Sequence, residues 1–121
     1  MLPKWYTPPH LRKQRRLPSA KVLEAVSEVF DVSICDIKSK LRHKKFSRPR
    51  QVACYMMKRH CEHLSYPMIA KAVGRSDHTT AMHSIAVVDN LLRRDDELAR
   101  RVSRVNAMLN GEQRGRSYQH I

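Results

Sequence analysis

Apolar residues recur along the chain at helical spacing, and each run is preceded by a residue able to cap a helix. Val22, Val26 and Val29, joined by Leu23 and Phe30, predict a first helix capped by Ser19 and broken by Asp31 and Val32. Ser33 followed by Asp36 has the form of a capping box, which predicts a short second helix from Ile34 to about Lys40 with Ile34, Ile37 and Leu41 in the core. Pro49 suits the first turn of a third helix, about Arg50 to His63, because its ring presets φ and its missing N–H would be unpaired there. That helix buries Val52, Ala53, Met56 and Met57, with His60 at the edge of the stripe. Ser65 caps a short fourth helix with Pro67 in its first turn and Met68, Ile69, Ala72 and Val73 facing inward, and Gly74 stops it. Ser76 or Asp77 caps a fifth, from Asp77 to about Leu92, whose stripe is Ala81, Ile85, Val88 and Leu92. Asp95 or Asp96 caps a sixth, where Leu98, Val102, Val105 and Leu109 repeat and Asn110-Gly111 marks the end. The predicted fold is all-α, a compact domain of six helices.

The order of the fourth and fifth helices carries a second message. A short helix, a tight turn with glycine and then a longer helix is the helix-turn-helix pattern. Asp77, His78, Thr79 and Thr80 then occupy the first turn of a recognition helix, the part that meets base edges in the major groove. Their chemistry suits that place: a carboxylate accepts from cytosine N4, an imidazole donates or accepts, and hydroxyls bond bases or phosphates. Taken alone, the same four residues also suit a capped surface helix with no ligand.

Composition shifts the balance. In 121 residues, 24 Lys and Arg stand against 11 Asp and Glu, a formal charge of +13, and the pI is about 10.3. The charge is clustered, with seven Lys or Arg and no acid between residues 38 and 50, and five more, again without an acid, in residues 1 to 20. A polyanion is the expected partner. The segment from Arg42 to Arg50 is too charged to bury and reads as a basic loop, and Arg48 and Arg50 beside the N–H groups of the third helix form a phosphate site. Residues 1–18, with four prolines and with Trp5 and Tyr6, read as a basic mobile arm, residues 19–110 as the domain, and residues 111–121 as a mobile tail.

Other chemistry finds little support. Cysteine is sparse and odd in number, and neither a signal peptide nor a long apolar span is recognisable, so a cytoplasmic, nucleoid-associated protein with no membrane association is expected. No P-loop pattern is present, and no nucleotide or other cofactor is expected. His60, Cys61, His63 and Cys54 lack the paired spacing of a zinc site, which leaves buried thiols and a half-buried histidine as the expected state. Asp77, His78 and His83 could suggest acid–base catalysis, but no nucleophile accompanies them and no enzyme is expected.

Three pieces of sequence, Arg48-Pro49-Arg50-Gln51, Ser65-Tyr66-Pro67-Met68-Ile69 and Asp77-His78-Thr79-Thr80 with His83, resemble the C-terminal DNA-binding domain of the bacterial replication initiator DnaA. The resemblance spans residues 19 to 110. It implies a Trp-repressor-like helix-turn-helix domain that binds short duplex sites called DnaA boxes, here without the initiator's ATPase domain. Carried over by position, it implies major-groove contacts from Pro67, Asp77, His78 and Thr79, and a minor-groove contact from Arg42. It implies phosphate contacts from Arg50, Gln51 and Lys58, and the neighbouring Lys44, Lys45, Arg48, Arg75, Thr80 and His83 complete the expected set. The family usually has Gly-Gly-Arg before Asp-His-Thr-Thr, whereas this chain has Gly74-Arg75-Ser76, and the stretch from Lys58 to Pro67 is one residue longer than usual, so an altered turn is expected. The expected function is sequence-specific binding of double-stranded DNA, monomeric on its site, in transcription regulation or as a competitor that restrains replication initiation. A second reading is a basic adaptor for an acidic protein partner, with the helix-turn-helix as scaffold.

Overall fold

The structure, a computed structural model, describes residues 16–118, with side chains described through Gly111. Six helices are present among the described residues: α1 (Ser19–Phe30), α2 (Ile34–Lys38), α3 (Lys44–His60), α4 (Tyr66–Ala72), α5 (His78–Leu91) and α6 (Asp96–Tyr118). They form an all-α domain built around α3, which packs against each of the other five. Its buried face holds Val52, Ala53, Cys54, Met56 and Met57, all without solvent exposure. Val22, Leu23 and Val26 of α1, Ile37 of α2, Ile69 of α4, Ala81 and Val88 of α5 and the predicted α6 stripe complete the core.

The helix starts follow their caps. The hydroxyl of Ser33 accepts from Asp36 N, that of Ser65 from Met68 N, and the carboxylates of Asp77 and Asp95 accept from Thr79 N and Leu98 N. Each satisfies a backbone donor that the first turn leaves unpaired. Ser19 does not act this way: it is the first helical residue, and Pro18 before it makes no side-chain cap bond.

Several boundaries and faces depart from the sequence expectation. The largest departure is α3, which begins at Lys44 rather than Arg50, so most of the basic loop is helix and Pro49 lies inside it. His43 makes this start possible, since its Nδ1 accepts from Lys45 N and its carbonyl accepts from Phe46 N and Ser47 N. Leu41 and Met68, expected inside, are 47% and 50% exposed, because one lies in the link after α2 and the other on the outer side of α4. Gly111 continues α6 instead of ending it: its backbone is not in the left-handed region that a glycine cap requires. The predicted tail is therefore helical through Tyr118.

At the other end, Leu17 is buried, and its N–H donates to His60 O at 3.2 Å while Arg16 pairs with Cys61. The last residues of the predicted arm are thus docked on the end of α3. The rest of the arm, with Trp5 and Tyr6, lies outside the described residues.

Cys54 and Cys61 are buried and Cys35 is exposed. Burial pushes both buried thiols up to about 11, so they stay protonated at neutral pH and act as small apolar groups. No group of three or more His, Cys, Asp or Glu able to hold a metal occurs among the described residues. His60 is buried and shares a 2.8 Å hydrogen bond with Asn106, tying α3 to α6.

Candidate nucleic-acid interface

The helix-turn-helix is α4, the turn 73–77 and α5. The turn is set by Gly74, whose φ is +78°. Gly74 N donates to Lys71 O and Arg75 N donates to Ala70 O, at 3.0 and 2.8 Å. This is the paired bonding with which a left-handed residue closes a helix. Only Gly74 and Asp31 have positive φ among the described residues. Arg75, which stands where the family usually has a second glycine, therefore takes an ordinary backbone conformation that any side chain accepts.

From this turn α5 starts with its polar end outward. Asp77, His78 and Thr79 are exposed, and Ala81, Ser84 and Val88 on the opposite side are buried against α3 and α4. Ser84 was not part of the predicted stripe. It is 5% exposed and lies close enough to the Cys54 thiol of α3 to oppose the upward push of burial on that group. The Asp77 carboxyl is held below the usual carboxylate range, first by its hydrogen bonds with Thr79 and then by the nearby imidazole of His78, whose Nδ1 is 3.8 Å from Oδ1. The carboxylate is ionised across the neutral range, with one oxygen engaged at the cap.

Pro67 is exposed in the first turn of α4, and Arg42 is exposed in the link ahead of α3. Lys44, Lys45, Lys58 and His83 are exposed, and Arg48, Gln51, Arg75 and Thr80 are half-buried. Arg48 Nη1 donates to Gln51 Oε1 at 2.9 Å, fixing two of the expected phosphate contacts relative to each other. The Lys58 ammonium sits over the Tyr66 ring, 4.6 Å from its centroid, a cation–π contact that joins α3 to α4.

Arg50 is placed differently. It is 6% exposed, and its guanidinium donates to Ile37 O at 2.7 Å, Ser39 O at 2.8 Å and Leu41 O at 3.0 Å. Its pKa is lowered, first by desolvation and then by the nearby charge of Arg75. In this structure Arg50, expected at a phosphate, instead clamps the link from α2 to Arg42, since its fork is occupied by carbonyls at the end of α2 and just beyond it. An arginine in a basic run carries no sequence signal that separates these two roles.

A family model described as the bacterial dnaA protein helix-turn-helix matches residues 19–88. The chain belongs to this family. Chromosomal replication initiator proteins DnaA are similar to it: that of Rippkaea orientalis is 36% identical over 96 residues, 79% of this chain and 21% of that protein. The corresponding figures are 35% over 99 residues, 82% and 22%, for Lactobacillus johnsonii, and 30% over 94 residues, 78% and 20%, for the Wolbachia of Brugia malayi. The chain spans about a fifth of the length of the curated relatives it matches. DnaA membership supports DNA binding, and the DnaA helix-turn-helix is a binding domain rather than a catalytic one. No helix among the described residues is long and apolar enough to cross a membrane.

Proposed function

We propose that this DnaA-type domain binds double-stranded DNA at DnaA-box-like sites, with the start of α5 in the major groove. The observation that supports this most is the exposed turn of Asp77, His78 and Thr79, held by a helix whose other side is fixed in the core. A groove reader needs polar groups on a rigid mount, and these residues have one. The Asp77 carboxylate accepts from cytosine N4, His78 and Thr79 reach base edges, and Pro67 approaches the same groove from α4. Arg42 enters the adjacent minor groove, where a narrow A·T-rich stretch attracts arginine. Lys44, Lys45, Arg48, Gln51, Lys58, Arg75, Thr80 and His83 contact phosphates. Arg50 acts through the link that carries Arg42. Bound as a monomer, the domain occupies a site that a replication initiator would use, and it regulates nearby transcription or competes with initiation.

Titrations of variants separate base reading from phosphate contact. His78→Ala or Thr79→Ala is expected to weaken the cognate site by about 1 to 3 kcal/mol and to relax its base preference. Lys58→Ala should weaken every sequence alike and reduce the slope of log affinity against log salt by about one. A His78→Ala protein with unchanged preference among duplexes contradicts the assignment of α5 to the major groove.

A further inference from the structure

Four large apolar side chains are exposed among the described residues: Leu41, Met68, Met82 and Met108. Three of them border the residues proposed to contact DNA. Leu41 precedes Arg42, Met68 follows Pro67, and Met82 lies on α5. Met82 comes three residues after Thr79 and four after His78, which on a helix places the three side chains in one stripe. It is 45% exposed, whereas Ala81 beside it is fully buried.

A single exposed methionine is ordinary on a protein surface. On this stripe its surroundings give it a meaning, because a recognition helix meets base edges with its N-terminal residues, and Met82, the fifth residue of α5, continues the outward stripe of that end. Base edges there are polar except at one point, the 5-methyl group of thymine. An unbranched thioether adapts to such a group, and their contact removes apolar surface from water on both partners. We propose that Met82 is a specificity-determining residue that reads the 5-methyl group of a thymine, one turn beyond the hydrogen-bonding residues Asp77, His78 and Thr79. The proposal rests on the duplex-binding reading above and assigns it an apolar element.

The test uses the full chain and the tightest duplex it selects from a random pool. Each thymine is replaced in turn by deoxyuridine, which removes only the methyl group, and dissociation constants are measured for the native protein, Met82→Ala and Met108→Ala. Met108 is also exposed, on α6 in the groove facing Lys21, Glu24 and Glu28 of α1, and serves as the control. At one thymine, loss of the methyl should weaken the native protein and Met108→Ala by about fourfold, the size expected of one buried carbon, and leave Met82→Ala unaffected. If no thymine shows a methyl effect, or if Met82→Ala keeps every effect of the native protein, the role of Met82 is overturned while duplex binding stands. A pool from which no sequence is enriched overturns both.

Discussion

Gly74→Ala is expected to cost the domain about 3 kcal/mol or more, the sum of a left-handed backbone that alanine resists and a clash that it cannot avoid. Gly74 has φ +78°, and a Cβ added there would lie 2.3 Å from Lys38 O and 3.2 Å from Lys38 C. Those are backbone atoms at the end of α2, so no side-chain rotation relieves the overlap. Either α2 moves away or the turn opens, and opening it breaks the bonds from Gly74 N to Lys71 O and from Arg75 N to Ala70 O. Because a domain of this size loses roughly 4 to 8 °C per kcal/mol, the melting temperature followed by circular dichroism should fall by at least about 12 °C. A fall of under about 4 °C contradicts this account of the turn. By contrast, Arg75→Gly should not raise stability, because Arg75 is not in the left-handed region and glycine adds conformational freedom to the unfolded chain.

Arg50→Ala should destabilise by about 3 kcal/mol, through a different cause. The variant strands the carbonyls of Ile37, Ser39 and Leu41, each now bonded to one guanidinium. A buried acceptor left without a donor costs about 1 to 3 kcal/mol, and Leu41, being exposed, lets water replace part of the loss. Arg50→Lys should recover less than half of it, since a single ammonium cannot span the three acceptors that a planar fork reaches. The clamp and the phosphate contact make opposite predictions for salt. In DNA titrations at a temperature where the variant is folded, Arg50→Ala should leave the salt slope unchanged, and a slope reduced by about one would assign Arg50 to a phosphate instead.

Helices whose cap and stripe agree were legible in the sequence: α4 and α5 lie close to their expected limits, α1 does so on its stripe alone, and Ile69, Ala81 and Val88 are buried as expected. The start of α3 was not legible, because Lys44, Lys45 and Arg48 near a helix N-terminus and Pro49 five residues inside it oppose helix formation locally. Packing overrides that preference, with Pro49 and Arg50 both buried. The inward placing of Leu41 and Met68 failed because apolar character alone does not say which side of a short element faces the core. Gly111 misled for a related reason, since glycine permits a helix end without requiring one. Of the proposed interface, the polar residues were legible from their resemblance to a family motif, whereas Met82 stands out only once its exposure is known.

Selection of duplexes from a random library by the full chain, at one stated salt concentration, tests the central claim most directly. Sequence-specific reading by α5 predicts enrichment of one short DnaA-box-like motif, bound at least about a thousandfold more tightly than its scrambled counterpart. Equal affinity for the enriched and scrambled duplexes would contradict it.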